Sequence, residues 1–540
     1  MTEIELIVIN ARIVTMDPAM PQAEALAIAG GRVLALGTSG EIRALAGRRT
    51  EVIDAGGRLV LPGFQDTHIH LQDSGQDYSQ NADLSAADTP AELVATLARF
   101  AAGHERQWVQ GTGWNSALFG HWNLDRHLLD RAVPDRPCLI VASDGHNGCL
   151  NSAGLAAVGF DHATPDPLNG AIVRADDGTP TGLLYENAVM MAEARMPATD
   201  DSAFATGVLW AQELAHRHGL TGVLDARVEE RHVRVYRRLA EAGQLSLRVA
   251  ATALVTATDT PEAAVERLRA FRAAGIGRFG VHSAKFFLDG VIENRTAAMI
   301  EPYSDAQGGN GPLMFSPDLI ARLFTALDAD RFQLHVHAIG DLASRAALDG
   351  IAAARAANGP WPAHHQIAHV QFLDPADVPR FGALGVMANI QPLWARHEAP
   401  IDEMAIPLIG PERARWIYAF QSLAKAGAGL ALSSDWGVST LNPFAIIETA
   451  VTRQPANAEL PAAPLLPDER LTRWQAVVGY TLGAARAAWR SDDTGSLSPG
   501  KFADLILLDR DIFACPAPEI GGTRVLLTLV SGQIVHRDTA

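Results

Sequence analysis

From about residue 200 onward the chain alternates between helical stretches and short β-branched or apolar runs, with a regularity few folds can accommodate. The helical stretches are 201–218, 228–243, 261–275, 316–330, 341–358, 374–384, 412–427 and 472–490. The runs are 221–225, 247–252, 282–289, 333–337, 365–369, 386–390 and 430–435, and an earlier run at 64–70 makes eight. Strand–helix alternation repeated eight times predicts an α/β fold, a (β/α)8 TIM-like barrel. A doubly wound open sheet is the competing arrangement. No G-x-G-x-x-G follows an early strand, which weakens that reading and the dinucleotide binding that goes with it.

The 540 residues exceed one small core and leave room for further domains. Residues 1–59 read as short strands broken by turns, too few and too short to stand alone. Apolar runs at 503–509, 525–530 and 533–536 offer them partners. We therefore expect a small β-sandwich domain built from 1–59 and 491–540. The barrel would take 60–75 and 200–490, with 76–199 inserted after the first barrel strand as a cap over the active site. The insertion is rich in Gly, Asn, Asp and Pro and reads as irregular, apart from one amphipathic helix at 90–103 capped by Thr89. Long irregular segments in compact proteins commonly serve as lids.

A net charge of −17 argues against a nucleic-acid or anionic-membrane partner, either of which needs a basic face. No run approaches the ~20 apolar residues of a membrane span. The first residues read as a strand and not a signal peptide. Cysteines 138, 149 and 515 show no C-x-x-C spacing and form no disulfide framework, so the expected compartment is the cytoplasm.

In a barrel of this kind, chemistry sits at the C-terminal ends of the strands. The first strand carries His68 and His70, which period-two alternation points the same way. The fourth carries Lys285, the fifth His337, the sixth His369 and the eighth Asp435. Taken singly, Asp435 is a turn residue, His369 a hydrogen-bonded core histidine and Lys285 an ion-paired lysine. Gathered on one face of one barrel, the six point to a functional site, and its imidazoles and carboxylate are metal-ligating types. His335 shares the parity of His337 but lies one layer deeper. His365 lies at the start of its strand, and His364 has the opposite parity. None of these three is counted as a ligand. Asp289 shares parity with Lys285 just past the strand end, where it can orient a ligand or the substrate. In the loops, Trp114, Phe119, Trp122 and Trp436 are candidates for an apolar substrate wall. His146, within Asp-Gly-His-Asn, is a candidate for contacting a substrate carbonyl, and Glu186 has no role that its surroundings suggest.

Several segments together resemble a known family. They are Leu61-Pro-Gly-Phe-Gln-Asp-Thr-His-Ile-His70, Asp144-Gly-His146 with Asn151-Ser152, and Lys285-Phe-Phe-Leu-Asp-Gly290. His337-Ala-Ile-Gly-Asp341, Ile367-Ala-His369, Ser434-Asp435-Trp436 and the 495–506 stretch complete the set. In this order and spacing they resemble the amidohydrolase superfamily, specifically its YtcJ-like branch (amidohydrolase family 3), which includes N-substituted formamide deformylase. The resemblance implies a binuclear centre, most often of zinc, with manganese or cobalt as alternatives, and with a mononuclear site as the alternative in relatives that use only one position. His68, His70 and Asp435 would hold one cation and His337 and His369 the other, with Lys285 bridging them as a carbamate. Water held between two dications ionises near neutral pH, and Asp435 would act as general acid and base.

The implied activity is hydrolysis of a C–N bond in an amide or N-acyl small molecule, in a homo-oligomer such as a dimer. Ester, cyclic-imide or phosphotriester hydrolysis on the same centre are alternatives, as is deamination. Deaminases of this fold resemble H-x-x-E after the fifth strand, and here the corresponding position is Gly340. In a different class, the chain would be a non-catalytic binding protein stabilised by its metal.

Overall fold

The computed structural model describes residues 3–119, 124–143, 145–458 and 462–539. It divides into two compact units. One comprises Met1–Ile69, Gln212–Asp435 and Thr440–Ala540; the other comprises His70–Ala211 with Trp436–Ser439. The expected insertion, 76–199, falls within the second unit.

The first unit contains an eight-stranded parallel sheet in which the strands neighbour one another in chain order. We number them β1 (Phe64–Ile69), β2 (Leu220–Val228), β3 (Arg248–Leu254), β4 (Phe279–Phe287), β5 (Gln333–Ala338), β6 (Gln366–His369), β7 (Met387–Ile390) and β8 (Gly429–Leu432). Two hydrogen bonds close the gap between β8 and β1. Thr67 Oγ1 donates to the Leu432 carbonyl at 3.0 Å, and the Asp435 N–H donates to the His68 carbonyl at 2.9 Å. The sheet is a near-closed TIM-like barrel.

The intervening helices begin where their caps dictate. Thr260 and Ser316 accept from the backbone N–H three residues on, and each is followed by proline at the first helical position. The expected helix at 412–427 shrinks to Phe420–Lys425 after a short 3-10 turn at Ala414–Trp416. Tyr418 between them has φ +51°, which a helix cannot contain. The expected helix at 472–490 is Arg473–Val478, a π turn at Gly479–Gly483 and Ala484–Ala487.

Both chain ends build the sheets beside the barrel within this unit. Leu505–Leu508 pairs antiparallel with Leu59–Pro62, with Ile506 opposite Leu61. These strands belong to a six-stranded sheet, and Leu6–Ile9 lies in a four-stranded one. Leu6, Val8, Leu26 and Ile28 from the N-terminal segment share a core with Leu505, Leu527 and Leu529. The passage into the barrel is tight: a Cβ on Gly63 would meet the Thr221 side chain at 2.3 Å, so only glycine fits there.

The second unit corrects the expectation of irregular structure. It holds a six-stranded mixed sheet, ordered Gly170–Arg174, Pro180–Glu186, Asn147–Leu150, Cys138–Ala142, Val109–Trp114 and Ala82–Asp83. The expected helix is present at Pro90–Ala102, with Thr89 accepting from the Glu92 N–H. The strands are short and interrupted by glycine, so their alternation is weak in the sequence. All three cysteines are free thiols. Among the described residues, no helix is long and apolar enough to cross a membrane.

Candidate metal centre

The site begins with two backbone hydrogen bonds. Asp435 N–H donates to the His68 carbonyl, and His70 N–H donates to the Trp436 carbonyl at 2.7 Å. They bind the end of β1 to the segment after β8. Asp66 adds a third tie, accepting from the N–H of His68 at 3.1 Å and of Ser434 at 3.0 Å. Burial pushes the Asp66 carboxyl up to about 7, against the opposing pull of these donors. As a result His68, His70 and Asp435 each offer a ligand atom within 4.8 Å of the others.

The other expected ligands surround this triad. Lys285, on β4, brings Nζ to 3.2 Å from His68 Nε2, and Asp435 Oδ1 lies 3.5 Å from the same nitrogen. His369, at the end of β6, places Nδ1 3.9 Å from Asp435 Oδ2. Its ring centroid is 4.9 Å from that of His68 and 4.4 Å from that of His337. His337 Nε2 lies 3.2 Å from the Gly290 carbonyl and 3.6 Å from Asp289 Oδ1. The six residues singled out as ligands are thus brought to one end of the barrel.

Lys285 is fully buried, and among the described residues it forms no ion pair. Burial pulls its amine down to about 7, aided by Arg227 and opposed by Asp435. Imidazoles, a carboxylate and an amine that readily sheds its proton suit a divalent cation. They suit a purely structural role less well, since a fully buried ammonium is costly.

Asp289 is fully buried and holds backbone: Oδ1 accepts from Ile339 N–H at 3.0 Å, and Oδ2 from Gly340 at 2.8 Å and Ala298 at 3.0 Å. It anchors the turn after His337. Asp289, expected to orient a ligand or the substrate, thus holds the turn that follows the candidate ligand His337. Trp436 is buried and stacked between Tyr78 and Trp210, with centroids at 5.6 and 6.2 Å. Its ring, expected as part of a substrate wall, packs against these two aromatic neighbours. Trp114, expected in the same wall, packs with Leu84, Leu93, Phe119 and Ile140 in the core of the second unit. Trp122 and Asp144 lie outside the described residues.

In the second unit, His146 Nδ1 sits 2.6 Å from Glu186 Oε2, and the Glu186 N–H donates to the His146 carbonyl. Glu186 thus acquires a role as the partner of His146, and it adopts φ +52° to fill it.

Sequence reading missed several neighbours. Trp394, on the turn after β7, stacks on His369 at 5.6 Å and 14°. Gln391 Oε1 lies 3.0 Å from His369 Nδ1. Phe287 covers Lys285, whose Nζ lies 4.5 Å from the ring centroid. Phe287 alone carried a usable signal, since it lies two residues beyond Lys285 on the same face of β4.

A model described as "Amidohydrolase family" matches residues 51–536. The chain belongs to the amidohydrolase family. Putative amidohydrolase YtcJ of Bacillus subtilis (strain 168) is 29% identical over 97% of this chain and 98% of its own. N-substituted formamide deformylase of Arthrobacter pascens is 28% identical over 99% of each. Among solved structures, an uncharacterized metal-dependent hydrolase from Pyrococcus horikoshii OT3 is 26% identical, with a TM-score of 0.76 covering 95% of this chain and 99% of that one. This amidohydrolase is a metal-dependent hydrolase with its His-His-Asp cluster at the C-terminal end of a barrel.

Proposed function

We propose that this amidohydrolase cleaves the C–N bond of an amide or N-acyl small molecule, with Asp435 carrying the proton. One observation bears most of the weight. The Asp435 carboxylate lies between His68 and His369, 3.5 and 3.9 Å from their ring nitrogens, beside a fully buried Lys285. A similar relative bears the name of a deformylase of N-substituted formamides, which is an amide hydrolysis.

His68, His70 and Asp435 would hold one divalent cation and His337 and His369 a second, zinc being the first candidate. When bound, such ions supply Lewis acidity and acidify water. Lys285, as the neutral amine, would form a bond through Nζ to CO2 and release one proton, giving a carbamate whose single negative charge is shared by two oxygens that could serve as ligands. Asp435 would accept the proton of the attacking water and return it to the departing nitrogen.

Hydrolysis is preferred to deamination for a structural reason. A Cβ on Gly340 would lie 2.1 Å from the Ala298 carbonyl oxygen, so this turn has no room for the glutamate that such deaminases carry there.

The test is metal analysis of the purified protein, followed by assay of the loaded enzyme on N-substituted formamides, other amides, esters and cyclic imides. Release of amine from an amide supports the proposal. A loaded protein inert on the whole panel overturns it in favour of a binding protein.

A further inference from the structure

The sequence reading set His335 aside because it lies one layer below the ligands. The structure gives it a specific neighbour. His335 Nε2 is 2.8 Å from His68 Nδ1, with the two rings edge to face and their centroids 4.7 Å apart. His335 is fully buried, and in the β4–β5 ladder it pairs with Lys285. Two adjacent residues on neighbouring strands thus address the two nitrogens of one imidazole. Lys285 meets Nε2 at 3.2 Å and His335 meets Nδ1.

We propose that His335 is a positioning residue that fixes the tautomer and the ring plane of His68, so that Nε2 presents its lone pair to the cation. A neutral imidazole carries one N–H and one lone pair. If His68 Nε2 binds a cation, its proton must sit on Nδ1, and at 2.8 Å His335 Nε2 must accept it. His335 then carries its own proton on Nδ1. The reverse arrangement, with His335 donating to His68 Nδ1, would leave a proton on His68 Nε2 and block ligation. Outer partners that fix a ligating imidazole in this way commonly contribute ten- to a hundredfold in metal affinity. His337 has the corresponding arrangement by another route, with Nε2 at 3.2 Å from the Gly290 carbonyl.

The inference rests on the metal-centre part of the proposed function and not on the identity of the substrate. The experiment is therefore zinc affinity, measured by competition with a chelator on the full chain stripped of metal, for wild type, His335→Gln and His335→Asn. Glutamine can place an acceptor oxygen where Nε2 lies, whereas asparagine is too short to reach His68. We expect His335→Asn to bind about 10- to 100-fold more weakly and His335→Gln to stay within a few-fold of wild type. A second readout uses 15N-histidine labelling of the zinc-loaded protein. The hydrogen-bonded His68 Nδ1–H resonance should be present in wild type and His335→Gln and lost or shifted in His335→Asn. Equal affinity and an unchanged His68 resonance across all three proteins would overturn the assignment, as would zinc-edge anomalous density showing His335 bound to the metal. Wild type that binds no zinc would overturn the metal reading as a whole, and inactivity on amides alone would leave the role of His335 standing.

Discussion

Lys285 Nζ stands 3.2 Å from His68 Nε2 in a place fully removed from solvent. The two nitrogens cannot both carry a proton toward each other there. Burial resolves the conflict by drawing the Lys285 amine down to about 7, which makes its neutral form accessible under ordinary conditions. The same geometry aims the amine at the ligand cluster, where a carbamate would be useful and an ammonium would repel cations.

Replacement of Lys285 tests that reading. Lys285→Ala removes the bridging group, and we expect loss of about one metal equivalent per chain, with activity down by two orders of magnitude or more. Elemental analysis of the purified variant and steady-state rates check both. Full activity with two metals per chain would show that the site does not depend on the lysine.

Asp435 has a backbone role and a side-chain role that substitution can separate. Its N–H donates to the His68 carbonyl whatever the side chain, so Asp435→Asn should fold with the junction of β1 and β8 intact. Asparagine cannot carry a proton from water to a leaving nitrogen, and losing such a group typically costs about 10²- to 10⁴-fold. We expect kcat to fall within that range while the thermal midpoint of the stripped protein changes little. A variant that retains more than a tenth of wild-type kcat would assign proton transfer to another residue.

What could be read from the sequence follows from the range of the interactions involved. The barrel strands and the inward pair His68 and His70 are set by period-two alternation within a few residues, and they were legible. The same holds for Lys285, His337, His369 and Asp435, which lie at strand ends. Trp436, an aromatic beside a site ligand, reads as a pocket wall. Its burial depends on Tyr78 and Trp210, far away in the chain. The contact of His335 with His68 spans the barrel and has no local signature. The sheet of the second unit was hidden for another reason: its strands are short and carry glycine, so composition suggested loops. Trp394 stacks on His369 only because the turn after β7 folds back, a geometry that no periodicity encodes.

His216 should make the fold sensitive to acid. It is buried, with Nδ1 2.9 Å from the Leu220 carbonyl and Nε2 2.8 Å from Ser246 Oγ, and burial pulls its pKa down to about 4. The unfolded chain, titrating near 6.5, binds the proton first. Stability is therefore full above about pH 6.5 and is lost progressively as pH falls toward 4. His216 contributes on the order of 3 kcal/mol to that loss. Urea unfolding at pH 7 and pH 4.5 should show a flatter pH dependence for His216→Gln than for wild type. Equal slopes would mean that His216 is not the group responsible.

Arg248 and Asp504 join β3 to the segment preceding Leu505–Leu508. Arg248 Nε donates to Asp504 Oδ2 at 2.6 Å, and Nη2 donates to Oδ1 at 3.0 Å and to Ser531 Oγ at 2.7 Å. Both side chains are 4% exposed, and the guanidinium lies 3.9 Å from the Phe502 ring centroid. Removing one partner leaves the other charge buried, which typically costs about 3–5 kcal/mol. Arg248→Met should therefore lower stability by that order in urea unfolding. Adding Asp504→Asn removes the stranded charge, while the asparagine oxygen can still accept from the Ser531 N–H that Asp504 Oδ1 now serves at 2.7 Å. The double variant should regain a substantial part of the loss. If it is as unstable as Arg248→Met alone, the cost comes from lost packing of the guanidinium on Phe502 and not from the unpaired carboxylate.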